Sequence, residues 1–140
     1  MNKNLVSQEI FLSVIVLAVM LATVSVASAT DIYVNETGWW IDVFNESSTP
    51  IQSAVNNATG GDTINVAAGT YNPTSTIVID KDNLTLLGPQ ADVDPRPSMG
   101  TIRVPGNLAE AIVDGSNPGG SKLRNIIRIL ADDVVINGLE

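Results

Sequence analysis

Two close-set carboxylate pairs and one pair of adjacent indoles are the groups in this chain whose types and spacing admit chemistry. Asp92 and Asp94 flank Val93, and Asp132 adjoins Asp133. Oxygens so close together suit a hard cation such as Ca²⁺, which needs several such ligands. Aspartate also favours turns, because its side chain bonds nearby backbone. No third or fourth ligand accompanies either pair, so the turn role is the expected one. Trp39 and Trp40 offer flat amphipathic faces of the kind that meet a sugar ring. On a strand they point to opposite sides, so at most one can pack inward with the cap, and the other is either a partly exposed cap aromatic or a face for carbohydrate. Arg96, between two prolines, reads as a solvated loop residue. Arg103 and Arg128 fall at outward strand positions, and two isolated charges define no site.

Composition narrows the chemistry further. The chain contains no His and no Cys. Within it, His-based acid/base catalysis, Ser-His-Asp and Cys-His nucleophiles and the usual zinc or copper sites are therefore excluded. Its stability must come from packing without disulfides. The formal net charge is −8, which repels nucleic acid and anionic lipid.

The elements that must position these groups begin after a leader. Residues 1–29 combine a polar start, the apolar run "IFLSVIVLAVMLATVSVA" and the small-x-small site Ala27-Ser28-Ala29. They read as a secretory signal peptide cut after Ala29, with an uncleaved membrane anchor as the alternative. Either way the remainder is exported, secreted or on the cell surface. Sequons at Asn35, Asn45, Asn57 and Asn83 fit such a destination if the host glycosylates asparagine.

Asp31 to Glu46 alternates loosely and predicts one or two short strands. Ser48 or Thr49 then offers an N-cap, Pro50 suits a first helical turn, and Ile51, Ala54, Val55 and Ala58 make one apolar stripe ended by Gly60 and Gly61. So short a helix must lie on something. Very short strands come next. Residues 75–88, "STIVIDKDNLTLLG", align without gaps against residues 125–138, "NIIRILADDVVING". Ile77/Ile127, Ile79/Ile129, Leu84/Val134, Leu86/Ile136, Asp82/Asp132 and Gly88/Gly138 all match. A repeated corner with inward apolar pairs predicts stacked windings. The Pro- and Gly-rich residues 88–107 read as a loop insertion, and "EAIVDG" as a further strand.

These residues, "PIQSAVNNATGGDTINVAAGTYN", "IVIDKDNLTLLGP" and "IIRILADDVVINGLE", resemble the opening coils of right-handed parallel β-helix proteins of the pectin-lyase-like superfamily, in particular exported and cell-surface members. The resemblance implies an all-β right-handed parallel β-helix solenoid of about two coils. Residues 30–62 would supply N-terminal strands and a capping helix, and residues 63–140 the first coils. It also implies that further coils of the same solenoid are a partner, because about two windings are present where three or more are normally needed. The chain is therefore expected to be an N-terminal portion, non-catalytic as it stands.

Three functional classes stay open. One is a non-catalytic structural or carbohydrate-associated surface module, its partner a polysaccharide or cell-envelope glycan. Another is the front part of a polysaccharide lyase or glycoside hydrolase whose active site lies beyond residue 140. The third is a periplasmic accessory protein for metal-centre assembly. Fold resemblance alone does not choose among them. No cofactor is expected other than the Ca²⁺ weighed above, and the membrane enters only through an uncleaved signal segment.

Overall fold

The computed structural model describes residues 28–93, 109–116 and 124–140. The expected signal segment up to residue 27 lies outside the described residues, as do Asp94, Arg96, Arg103 and most of the expected 88–107 insertion. Among the described residues no helix is long and apolar enough to cross a membrane.

The first strands are set by a side chain. Asn35 Oδ1 accepts hydrogen bonds from the N–H of Thr37 (3.0 Å), the hydroxyl of Thr37 (3.0 Å) and the N–H of Gly38 (2.9 Å). This Asx turn reverses the chain at once. It folds β1 (Asp31–Asn35) back on β2 (Gly38–Trp40), and β3 (Phe44–Glu46) then returns along β2, both pairings antiparallel. Three strands thus stand where one or two were expected.

Next comes helix α1 (Pro50–Asn57). Thr49 holds the N-cap position, but its side chain caps nothing. Ser47 organises this end instead, its hydroxyl accepting from Thr49 N–H at 3.1 Å and sharing a 2.8 Å bond with Ser53 Oγ. The helix stops at Asn57 with Ala58 already extended, so the glycines lie beyond its end. Gly61, at φ +94°, supplies the left-handed turn that leads into β4 (Thr63–Val66). Ile51, Ala54, Val55 and Ala58 are all buried. The helix packs on β1, β2, β4 and β6 (Ile77–Ile79). Gln52 does more than pack. Its Oε1 accepts from Val78 N–H at 2.7 Å and its Nε2 donates to Val78 O at 3.2 Å, so one amide makes both bonds that a neighbouring strand would make to β6.

The remaining strands are β5 (Gly69–Tyr71), β7 (Thr85–Leu87), β8 (Ala111–Val113), β9 (Ile127–Ile129) and β10 (Val135–Asn137). They form a six-stranded sheet in the order β10-β7-β4-β1-β2-β3 and two two-stranded sheets, β5-β8 and β6-β9. The repeat seen in the sequence pairs in register: Ile77 lies beside Ile127, Ile79 beside Ile129 and Leu86 beside Ile136. "EAIVDG" contains β8, which runs parallel to β5.

The expected fold class is nonetheless corrected. The chain does not form an all-β parallel β-helix solenoid. Its main sheet is mixed, parallel through β10-β7-β4-β1 and antiparallel through β1-β2-β3, and a helix and two small separate sheets accompany it. The physical reason is the pair of tight reversals in residues 31–46. Short turns join antiparallel strands only, whereas parallel neighbours need a long crossover.

One face of the six-stranded sheet is apolar and turned inward, with Ile32, Val34, Ile64, Val66 and Leu86 buried against α1 and the small sheets. The opposite face looks outward, and it carries the candidate site.

Candidate functional site

Because side chains alternate along a strand, register alone decides which residues share the outer face. Phe44 pairs with Trp40, Trp40 with Tyr33, Tyr33 with Asn65, Asn65 with Leu87, and Leu87 with Asn137. One row therefore crosses all six strands, and its first three members are aromatic. The Tyr33 and Trp40 rings are stacked, with centroids 5.7 Å apart and planes 20° apart. Trp40 and Phe44 are tilted, at 5.9 Å and 44°. Such spacings are attractive for aromatic pairs. Tyr33 and Phe44 remain exposed, and Trp40 half-buried.

Gly38 makes this strip possible. A Cβ there would sit 2.5 Å from the edge of the Phe44 ring, so the ring occupies space that any other residue would fill. Beyond the aromatics the surface continues as a groove of about 520 Å³, lined by Tyr33, Trp40, Asn65, Ala67, Leu87 and Pro89 among others. At its far side Asn137 Nδ2 donates to Asp92 Oδ1 at 3.0 Å. Among the described residues, no Lys or Arg stands in the row or lines the groove.

The two tryptophans part company as strand alternation requires. Trp39 packs against the core cluster, and Trp40 joins the outer strip. Residue-by-residue reading missed Tyr33 and Phe44. The signal that locates them is "NETG" between two apolar runs, an Asx-turn pattern that places Tyr33 opposite Trp40.

A second concavity, about 230 Å³, lies between the first turn of α1 and the chain after β5, lined by Glu36, Thr49, Gln52, Thr70, Asn72 and Ser75 with neighbouring apolar residues. Its strongest polar groups already serve the fold. Glu36 Oε1 accepts from Thr70 N–H at 2.8 Å, Gln52 is spent on Val78, and the Tyr71 hydroxyl donates to Ala67 O at 2.8 Å. Burial, helped by the charge of Glu36, pushes the Tyr71 phenol up to about 12. The outer aromatic faces have no comparable internal employment.

The aspartates are placed by backbone needs. Asp133 has φ +55° and Asp92 φ +65°, the left-handed region that Asp and Asn tolerate better than most residues. Asp132 donates its N–H to Asp82 Oδ1 at 2.9 Å and accepts from Asn83 N–H at 2.9 Å, one repeat copy bonded to the other. Among the described residues no three acidic groups gather as a metal site. Arg128 is exposed on β9, in register with Val78. Of the sequon asparagines, Asn45, Asn57 and Asn83 are exposed, while Asn35 is half-buried and holds the first turn.

Comparisons of the chain with protein-family models, with curated proteins and with solved structures return no match.

Proposed function

We propose that this chain is an exported, non-catalytic surface module whose outer sheet face binds an uncharged carbohydrate. The supporting observation is the Tyr33–Trp40–Phe44 strip, three aromatic rings in a row on the outer sheet face, with Tyr33 and Trp40 also lining the groove. Pyranose rings present flat C–H faces that stack on such surfaces, and their hydroxyls suit an amide such as Asn65 in the groove. The charge favours a neutral ligand, since the net charge is −8 and the described residues that line the groove include no cation for an acidic sugar.

Affinity electrophoresis through gels containing a neutral or an acidic polysaccharide tests this. Retardation is expected in the neutral gel alone, with little dependence on salt. Trp40→Ala should weaken it by about 2 kcal/mol, close to thirty-fold in Kd, with the circular dichroism spectrum unchanged. Equal retardation of the variant, or migration unaffected by every neutral polysaccharide, sinks the reading.

A further inference from the structure

Asp62 is an unusual acid in this chain, buried to 3% exposure. Its Oδ2 accepts from the N–H of Thr59 (2.7 Å) and the hydroxyl of Thr59 (3.0 Å), and its Oδ1 accepts from the N–H of Thr30 (2.8 Å). All three donors are neutral, and no Lys or Arg among the described residues forms an ion pair with it. A carboxylate held away from water ordinarily needs an opposite charge as well as hydrogen bonds. The nitrogen on Oδ1 belongs to the residue that directly follows Ala27-Ser28-Ala29.

We propose that hydrolysis of the Ala29–Thr30 bond supplies that missing charge, turning the Thr30 nitrogen into an α-ammonium already seated on the buried Asp62 carboxylate. The reaction is a peptidase-catalysed hydrolysis. The C–N bond breaks, water's hydroxyl joins the Ala29 carbonyl carbon, and the Thr30 nitrogen takes protons to become an ammonium at neutral pH. Position needs no rearrangement. Thr30 O accepts from Thr63 N–H at 3.0 Å, and Asp31 pairs with Thr63, so the β1–β4 register fixes Thr30 beside Asp62. Ser28 and Ala29 are exposed, and Thr30 is half-buried, which leaves the remaining ammonium protons access to water. Leader removal then does more than release the protein, because it replaces a neutral donor on the Asp62 carboxylate with a cationic one, adding a charge pair to a hydrogen bond already in place.

This inference rests on the export reading, and the two fail separately. Mass spectrometry of the protein secreted from the full chain should find Thr30 at the N-terminus; any other N-terminus overturns the processing step. Independently, the processed chain is compared with the same chain acetylated on its α-amine. Acetylation rebuilds an amide N–H that still donates to Asp62, so it removes only the charge. The free amine should raise the folded-to-unfolded ratio at pH 7 about ten-fold over the acetylated form in urea titrations. In Asp62→Asn the free and acetylated forms should be equally stable. Equal stabilities of the free and acetylated wild-type chains overturn the pairing without any variant, and a ten-fold gap that persists in Asp62→Asn overturns the assignment to Asp62.

Discussion

The two copies of the repeat carry the same apolar pattern and have different fates. In the first, Ile77, Ile79, Leu84 and Leu86 are 2%, 0%, 0% and 0% exposed; in the second, Ile129 and Ile136, the counterparts of Ile79 and Leu86, are 48% and 36% exposed. Both copies form strands and pair in register. The neighbourhood is where they differ. The first copy has α1 and β4 on one side and the second copy on the other, while β9 and β10 each pair on one side only among the described residues. Alternation in the sequence makes the strand; stacking on both sides makes the core.

The largest expected effect lies in the first copy. Leu86→Ala should cost about 3 kcal/mol in denaturant titrations, because the cavity is enclosed on all sides. Alkali gives the next. Tyr71 belongs to the well-covered layer, where its ionisation is delayed from 10.0 to about 12. Below pH 10 the phenol is protonated in both states; between 10 and 12 only the unfolded chain ionises, so stability falls as pH rises through that window, by about 2 kcal/mol. Tyr71→Phe should abolish this slope. At pH 7 the same variant should cost about 1 kcal/mol, since the Ala67 carbonyl loses its donor. Asp62→Ala should cost about 1 kcal/mol at pH 7 by leaving the part-buried N–H groups of Thr30 and Thr59 without their protein acceptor. Ile136→Ala, the direct counterpart of Leu86→Ala, should cost less than about 1 kcal/mol. A large loss there would show that the second copy is as enclosed as the first, and the comparison would break.

Much of this architecture was legible residue by residue. The inward positions, the helix stripe, the Pro50 start and the repeat register could all be read from spacing, because each depends on local periodicity. The direction of the chain could not be read that way. Whether residues 31–46 fold as parallel or antiparallel strands depends on a turn closed by Asn35, whereas the repeat at 75–88 and 125–138 points toward parallel windings throughout. The site was half legible. Strand alternation separates Trp39 from Trp40, but Tyr33 and Phe44 join Trp40 only through cross-strand register. Gln52 and Ser47 were invisible for a related reason, since their partners Val78 and Ser53 are chosen by packing.

Gln52 carries a consequence of its own. A bare strand margin is a template on which any extended peptide can crystallise, and proteins ordinarily blunt such margins with charge, proline or an overlying element. Here a single carboxamide, planar and carrying donor and acceptor like a peptide group, occupies the place at Val78 where a foreign backbone would dock. Sheet growth from one molecule to the next is thereby refused along that border by one side chain, which makes position 52 a guard on solubility as much as a packing contact of α1.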